Sequence, residues 1–407
     1  MRVPTRVLLF PLLFLFFAGV WALRRPDAFT NPQLWAEDLD FMVVAESGYF
    51  ASLFQPMAGY LHLLLRCVAL SGVYLDPAIQ PGWYLGACLF FTALVGNTCL
   101  SKRNTMACKY LLPVAIAIIP HTGEVPLNLT NLQWITALGL LVTALKDDPT
   151  SVMQWVSDSF FVVIVGLTGP FALFAVPIFI YRAYMRRTLP SYILLALAIS
   201  VSMVQLWFVY FTLIRPESQA AFDAFKLFAI VSKRLFGTAF LGSASHAMGP
   251  LASAALGAGV IAYLAAVIST IRESRRTYFL LLYYMLAIVF ASAITKRFDT
   301  WDFPDIQNGD RYFFVPMVVL YWIMIGAIAR GARPWSYLPG MVLVASGLVL
   351  NFGTFQFAPY KDGRWYDACP KIRKFEEVTV EINPGWTIKY SRRAPILLPC
   401  PFRPQAQ

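Results

Sequence analysis

What most limits this chain is a series of apolar stretches separated by short basic clusters. A membrane span needs about 20 apolar residues, fewer where the helix packs inside a bundle. Stretches of that kind fall at 7–23, 81–100, 109–121, 128–145, 154–167, 169–182, 190–213, 249–271, 277–294, 312–330 and 335–352. Only 14% of the 407 residues are charged and 58% are hydrophobic, whereas a soluble domain carries about 25% charge. The expectation is an all-α polytopic membrane protein with about eleven transmembrane helices.

Basic residues collect on the cytoplasmic side of membrane proteins. Arg2 and Arg6 therefore place the N-terminus in the cytoplasm. With eleven spans, the clusters at 102–109 (KRNTMACK), 182–187 (RAYMRR), 272–276 (RESRR) and 330–333 (RGAR) all fall on that side too. Residues 24–80, 213–248, 295–311 and the tail from 353 then lie outside. The segment 57–75 sets the count. It carries Arg66 midway, which is costly at a bilayer centre, so it reads as a helix in or against the outer interface. At 166–170 the sequence GLTGP leaves two accounts open: two spans, or one kinked helix over 154–182. The first 23 residues resemble a signal peptide, but the many later stretches favour an uncleaved first span. The net charge of +11 sits in the orienting clusters, with no basic face or motif that would read nucleic acid. Membrane lipids are the expected surroundings, and no internal repeat points to a repeat-built transporter.

Residues 1–352 thus form a transmembrane module, and 353–407 a small outer tail. Within the tail, VTVEINPGWTIKY (378–390) alternates apolar and polar residues on either side of Asn383-Pro384-Gly385, the pattern of a β-hairpin. The six cysteines show no metal spacing. Cys67, Cys88, Cys99 and Cys108 lie in or beside apolar stretches and read as small hydrophobes. Cys369 and Cys400 can pair if the tail faces an oxidising compartment.

The unusual polar residues gather on the outer side. The stretch WAEDLD places Glu37, Asp38 and Asp40 close together. Acids there cap a helix N-terminus favourably. Crowded carboxylates also repel, which raises a pKa and yields a general base, and their oxygens suit a divalent cation such as Mg or Mn. The cofactor question stays open. His62 and Arg66 stand at i, i+4 on one helix face, where Arg66 can hold a phosphate or simply snorkel. In HTGEVPLNLTNLQW (121–134), His121 and Glu124 precede Asn131, Gln133 and Trp134. Amides beside an aromatic plate suit a sugar, and helix capping by Asn128 or Asn131 fits equally well. The loop 296–314 offers Lys296, Arg297 and Arg311 as phosphate clamps with Asp299 and Asp302 as partners; a solvated loop with surface ion pairs is the alternative. No GxGxxG, P-loop, GxSxG or HExxH motif is present, so soluble-type nucleotide or zinc chemistry has no support.

One N-terminal span, an outer acidic motif, an interfacial helix opening on a Pro-Gly turn and a basic inner loop together resemble the GT-C superfamily of membrane glycosyltransferases. QPMAGYL (55–61) is similar to the KPxAGYW stretch of lipid A aminoarabinose transferases and, more loosely, to the HPPLGK of protein O-mannosyltransferases. WAED, NLQW, GDRYFFVP and INPGW are similar to a bacterial set of unassigned GT-C-like proteins. The resemblance covers residues 1 to about 110 by motif and rests on architecture beyond. It implies a GT-C-like fold and a polyprenyl-phosphate-linked sugar donor. Its catalytic acid lands on Asp38, with Glu37 as the near alternative. The family's basic residue beside the turn has no equivalent at Gln55, so its role passes to Arg66. The large soluble domain of several members shrinks here to about fifty residues, which favours a glycan or lipid acceptor over a protein.

The resulting expectation is an inverting glycosyltransferase on the outer side of a bacterial inner membrane. Asp38 acts as base, with Glu37 beside it. Arg66, Arg311, Arg297 and Lys296 bind the donor phosphate. Trp35, Asp40, Tyr60, His62, Glu124, Asn131, Gln133 and Trp134 contact the substrates. The competing classes are a transporter or flippase of a lipid-linked saccharide and a scaffold subunit of an envelope complex. A carrier working by alternating access keeps its charges near the bilayer midplane, whereas these gather at one interface.

Overall fold

The computed structural model describes residues 5–212, 223–271, 274–295, 301, 309–331 and 333–398. The helices run α1 (Thr5–Arg24), α2 (Asp27–Thr30), α3 (Asp38–Gly48), α4 (Leu63–Gly72), α5 (Gln80–Cys99), α6 (Leu111–Ile118), α7 (Leu132–Leu145), α8 (Val152–Ser159) and α9 (Phe171–Arg186). They continue with α10 (Leu189–Thr212), α11 (Ala224–Ser232), α12 (Thr238–Leu241), α13 (Pro250–Thr270), α14 (Arg275–Thr295), α15 (Arg311–Arg330), α16 (Pro334–Leu350) and α17 (Trp365–Arg373). The one sheet among the described residues pairs β1 (Val378–Ile382) antiparallel with β2 (Trp386–Tyr390), Val380 facing Ile388.

Each of the eleven apolar stretches is helical over part or all of its length. Four helices are long and apolar enough to cross a membrane: Leu189–Thr212, Pro250–Thr270, Arg275–Ala293 and Arg311–Arg330. These fit a membrane protein. Eleven spans do not follow from helix length, because several helices are short. The eight residues of α6 cover about 12 Å of a hydrocarbon layer about 30 Å thick.

Two helices form the centre. All residues of α7 from Leu132 to Ala144 are buried, as are most of α15. A helix apolar on every side has no solvent face and belongs inside a bundle. Gly139 of α7 permits this packing: a Cβ there would stand 2.1 Å from the Phe161 ring. The N-terminal ends of α7 and α15 both meet the acidic loop, and this junction places the site.

Around the centre, several sequence expectations become specific. The stretch 154–182 is two helical pieces, not one kinked helix. The chain breaks at 166–170, where Gly169 takes φ +82° and the Gln205 side chain ties Leu61 to the Gly169 carbonyl at 2.9 and 3.1 Å. Segment 57–75 condenses to the ten-residue α4, too short to span. Leu64, Leu65, Arg66 and Val68 are buried, so it packs into the bundle instead of resting on it. The expected outer loop 213–248 is largely helical from Ala224 onward. Its apolar run AFKLFAIV is interrupted by Lys233 and Arg234, too short for a span but apolar enough to pack. Arg234 is buried and donates to the Trp301 carbonyl at 2.8 Å.

At the far end of α7, about 20 Å away by helix rise, a second polar cluster closes the bundle. Arg103 and Lys146 both pair with the buried Asp158, and Arg182 pairs with Asp148 at 2.7 Å. Burial pushes the Lys146 ammonium down to about 8. The hydrogen bonds from Thr188, Arg182 and Ser191 outweigh burial and hold the Asp148 carboxyl below its ordinary range. Buried charges need such partners. The run KDD at 146–148 supplies them.

The tail packs on residues 24–80. Arg373 grips Asp76 through two hydrogen bonds of 2.9 and 2.8 Å, and Trp365 donates to the Pro77 carbonyl at 2.8 Å. Tyr390 donates to the buried Glu46 of α3 at 2.8 Å. The hairpin turn reaches the acidic loop itself: the Ala36 N–H donates to the Asn383 carbonyl at 2.5 Å. Cys369 is a buried free thiol, and Cys400 lies outside the described residues. Cys108 is exposed at a turn, not embedded like Cys88 and Cys99.

Candidate functional site

Glu37 and Asp38 are neighbours in sequence and opposites in setting. Asp38 opens α3 and is buried. Its Oδ1 accepts from the Thr130 N–H and hydroxyl, both at 2.7 Å, and its Oδ2 accepts from the Trp35 N–H at 3.0 Å. The carboxylate thus clamps loop 121–131 to the start of α3. Burial raises its pKa to about 7, against the lowering effect of those hydrogen bonds. Asp38 does not line the neighbouring pocket. Glu37 does.

That pocket is a small, partly open cavity of about 60 Å³. Its wall combines the loop before α4, the N-terminus of α7 and the N-terminus of α15, and Glu37, Tyr60, His62, Asn131, Gln133, Trp134 and Arg311 all line it. Seven sequence-expected site residues therefore meet. Glu37 is half-buried, and its carboxylate makes no hydrogen bond or ion pair with any described residue.

Four of the lining side chains carry buried polar atoms without partners among the described residues: His62 Nδ1, Asn131 Oδ1, Gln133 Oε1 and Trp134 Nε1. Each such atom costs about 1–3 kcal/mol unless something bonds it. In Asn131 and His62 the opposite end is engaged. Asn131 Nδ2 donates to the Glu124 carbonyl at 2.9 Å. His62 Nε2 lies 3.3 Å from the Met57 carbonyl, an arrangement that puts the proton on Nε2 and leaves Nδ1 as an acceptor. Burial, with Arg66 nearby, pushes the His62 pKa down to about 3, so the ring is neutral. The Tyr60 hydroxyl approaches the Gln133 amide without a well-formed hydrogen bond. Gly169 closes in behind it: a Cβ there would stand 2.6 Å from Gln133 Oε1.

Aromatic rings complete the wall. Trp134 packs edge-on against Phe171 at 4.9 Å and Tyr312 at 5.4 Å, and Tyr60 lies 4.7 Å from His62. Phe41 lines the same space, and the Arg66 guanidinium sits over its ring at 5.4 Å. Arg66 is buried, and its Nε and Nη1 have no partner among the described residues. Burial lowers its pKa to about 10. It stays cationic at neutral pH with no described carboxylate beside it.

Arg311 is held differently. Its N–H donates to Glu124 Oε2 at 2.8 Å and its guanidinium to Oε1 at 2.5 Å. Next to it Asp310 accepts from the Thr122 N–H at 2.9 Å and contacts His121 Nε2 at 3.0 Å. The motifs HTGE and GDR, almost 190 residues apart, form one clamp. Glu124 is therefore the partner of Arg311 and lines a second cleft, together with Trp35. Asp40 is half-buried and lines neither space; burial and Glu37 raise its pKa. Lys296, Arg297, Asp299 and Asp302 lie outside the described residues.

Sequence reasoning missed Thr130, Phe41, Tyr312 and Gly169. Tyr312 adjoins Arg311 in GDRYFF and Thr130 stands inside NLT, so both were in view; nothing local marks Phe41 or Gly169. No group of three or more His, Cys, Asp or Glu residues positioned for a metal occurs among the described residues. Glu37, Asn131 and Gln133 bring carboxylate and amide oxygens to the pocket wall. No protein-family model matches this chain, and neither curated protein sequences nor solved structures yield a match. The fold and site define a helical protein of membrane type with an acid-bearing, aromatic-walled pocket at the end of its two central helices.

Proposed function

We propose that this protein is an inverting glycosyltransferase that takes a sugar from a polyprenyl-phosphate donor on the outer side of a bacterial inner membrane. One observation carries the proposal: among the described residues the Glu37 carboxylate is unpaired, and it shares an aromatic-walled pocket with buried polar atoms that have no partner there. Most of those are acceptors, and a ligand rich in hydroxyl donors matches them. Aromatic faces beside amide oxygens suit a sugar ring.

The base role passes from Asp38 to Glu37. Asp38 already engages both oxygens with Thr130 and Trp35, whereas the Glu37 carboxylate stands at the wall with no partner among the described residues. Glu37 takes the proton from the acceptor hydroxyl as that oxygen bonds to the anomeric carbon. The bond from that carbon to the phosphate oxygen breaks on the opposite face, and the polyprenyl phosphate leaves with the electron pair. Arg66, cationic behind Phe41, supplies positive charge toward the departing phosphate, while Arg311, already paired with Glu124, lines the same pocket. The neutral His62, Asn131 and Gln133 hold the sugar hydroxyls.

The test is transfer by the purified protein in lipid nanodiscs, with radiolabelled polyprenyl-phosphate sugars and a panel of glycan acceptors. Wild type should form product with inverted anomeric configuration, and Glu37→Gln should lose about 10²–10⁴-fold in rate, the usual worth of a general base. Equal transfer by Glu37→Gln removes it as base. Movement of a lipid-linked saccharide across liposomes without bond formation establishes a carrier instead.

A further inference from the structure

Beside the pocket lies a second cleft of about 450 Å³, open on one side and roofed by the C-terminal tail. Arg311 lines both spaces and joins them. The floor is the acidic loop and loop 121–124. The roof is the segment 358–361 and the hairpin turn at Asn383-Pro384. Its volume falls within the roughly 300–1,000 Å³ of a ligand pocket, and its open side lets an extended chain continue outward.

The charged groups around it are engaged. Arg311 is paired with Glu124 and Lys361 with Glu381. Arg25 donates to the Ala358 carbonyl at 3.1 Å and to the Gly123 carbonyl at 2.9 Å. Thr122 and Asn383 are likewise bonded within the protein. What remains for a ligand is two half-buried aromatic faces, Trp35 and Tyr360, whose rings stand 5.5 Å apart and tilted by 46°. Tyr360 is backed by the Arg25 guanidinium at 4.0 Å, which fixes its plane. Charge neutralised within the wall together with fixed aromatic plates matches a neutral, extended, hydroxylated ligand, not an anion.

We infer that this cleft binds the acceptor, and that the acceptor is an oligosaccharide chain whose penultimate sugars stack on Trp35 and Tyr360 while its terminal hydroxyl passes Arg311 toward Glu37. The inference rests on the glycosyl-transfer proposal for the direction of the chain, and its binding part stands apart from catalysis. The tail is then a specificity element: its hairpin turn and the loop 358–361 form half of the acceptor site.

The experiment is binding of wild-type protein in nanodiscs to a printed array of oligosaccharides graded from one to six sugars. Affinity should rise about tenfold from one sugar to three or four. Tyr360→Leu should abolish that rise, and Tyr360→Phe, which keeps the ring, should retain it. Trp35→Leu, on a separate segment, gives a second reading if Tyr360→Leu fails to fold, with thermal midpoints as the control. Absence of glycan binding, affinity independent of chain length, or an unchanged length dependence in a folded Tyr360→Leu or Trp35→Leu variant overturns the inference. Donor turnover is measured in parallel. Turnover without length-dependent binding removes the cleft and leaves glycosyl transfer standing, whereas length-dependent binding without turnover does the reverse.

Discussion

Replacing Asp38 and Glu37 one at a time separates structure from chemistry at this site. In Asp38→Asn one carboxylate oxygen becomes an N–H₂ group. Either the Trp35 N–H or the Thr130 pair then faces a donor where it had an acceptor. One buried group left unbonded costs about 1–3 kcal/mol. Above about pH 7, where Asp38 is ionised, the surviving bonds also change from a charged to a neutral acceptor and lose about half their strength. The sum is about 2–4 kcal/mol, a large part of the roughly 5–15 kcal/mol that keeps a typical domain folded. Glu37→Gln breaks no bond to any described residue, so its stability change should stay within about 0.5 kcal/mol. The assay pairs thermal unfolding in nanodiscs, followed by a thiol-reactive dye, with the transfer assay. Asp38→Asn should melt several degrees lower, and Glu37→Gln should melt as wild type while losing turnover. An Asp38→Asn protein with wild-type melting, or a Glu37→Gln protein that melts early, would refute this division.

Three further outcomes follow. The Asp38 carboxyl is raised from 3.8 to about 7, so the folded state holds a proton that the unfolded chain releases. Its contribution to stability is complete below about pH 4 and is lost as pH rises to about 7; a pH series of melting midpoints should show that fall in wild type, and Asp38→Asn should lack this part of the slope. Gly169→Ala places a Cβ 2.6 Å from Gln133 Oε1 at φ +82°, which should cost about 1–3 kcal/mol and weaken sugar binding, read by melting and by the glycan array together. Arg373→Ala removes the two-bond grip on Asp76; amides of 365–390 should then exchange with deuterium at least about tenfold faster, those of α7 remaining unchanged.

Much of the architecture was legible from residue spacing. Apolar stretches became helices because their residues satisfy backbone groups locally and present apolar surface on every side. The break at 166–170 and the hairpin at 378–390 were also local, since Gly and Pro limit the backbone wherever they stand. The residue types of the site were legible too: Glu37, His62, Asn131, Gln133, Trp134 and Arg311 were expected, and they meet in one pocket.

What only tertiary structure decided is which neighbour does what. Sequence alone cannot separate Glu37 from Asp38, because a carboxylate's role depends on the donors that fold against it. Thr130, 92 residues away, engages Asp38 and leaves Glu37 free. Glu124 was a candidate substrate contact until Arg311, 187 residues later, took its oxygens. The tail shows the same dependence on distance. Its hairpin was written in alternating residues, but its place as a roof beside the acidic loop comes from long-range bonds such as Ala36 to Asn383. Local spacing determines elements and composition determines their surroundings; partnerships between distant polar groups exist only once the chain has packed.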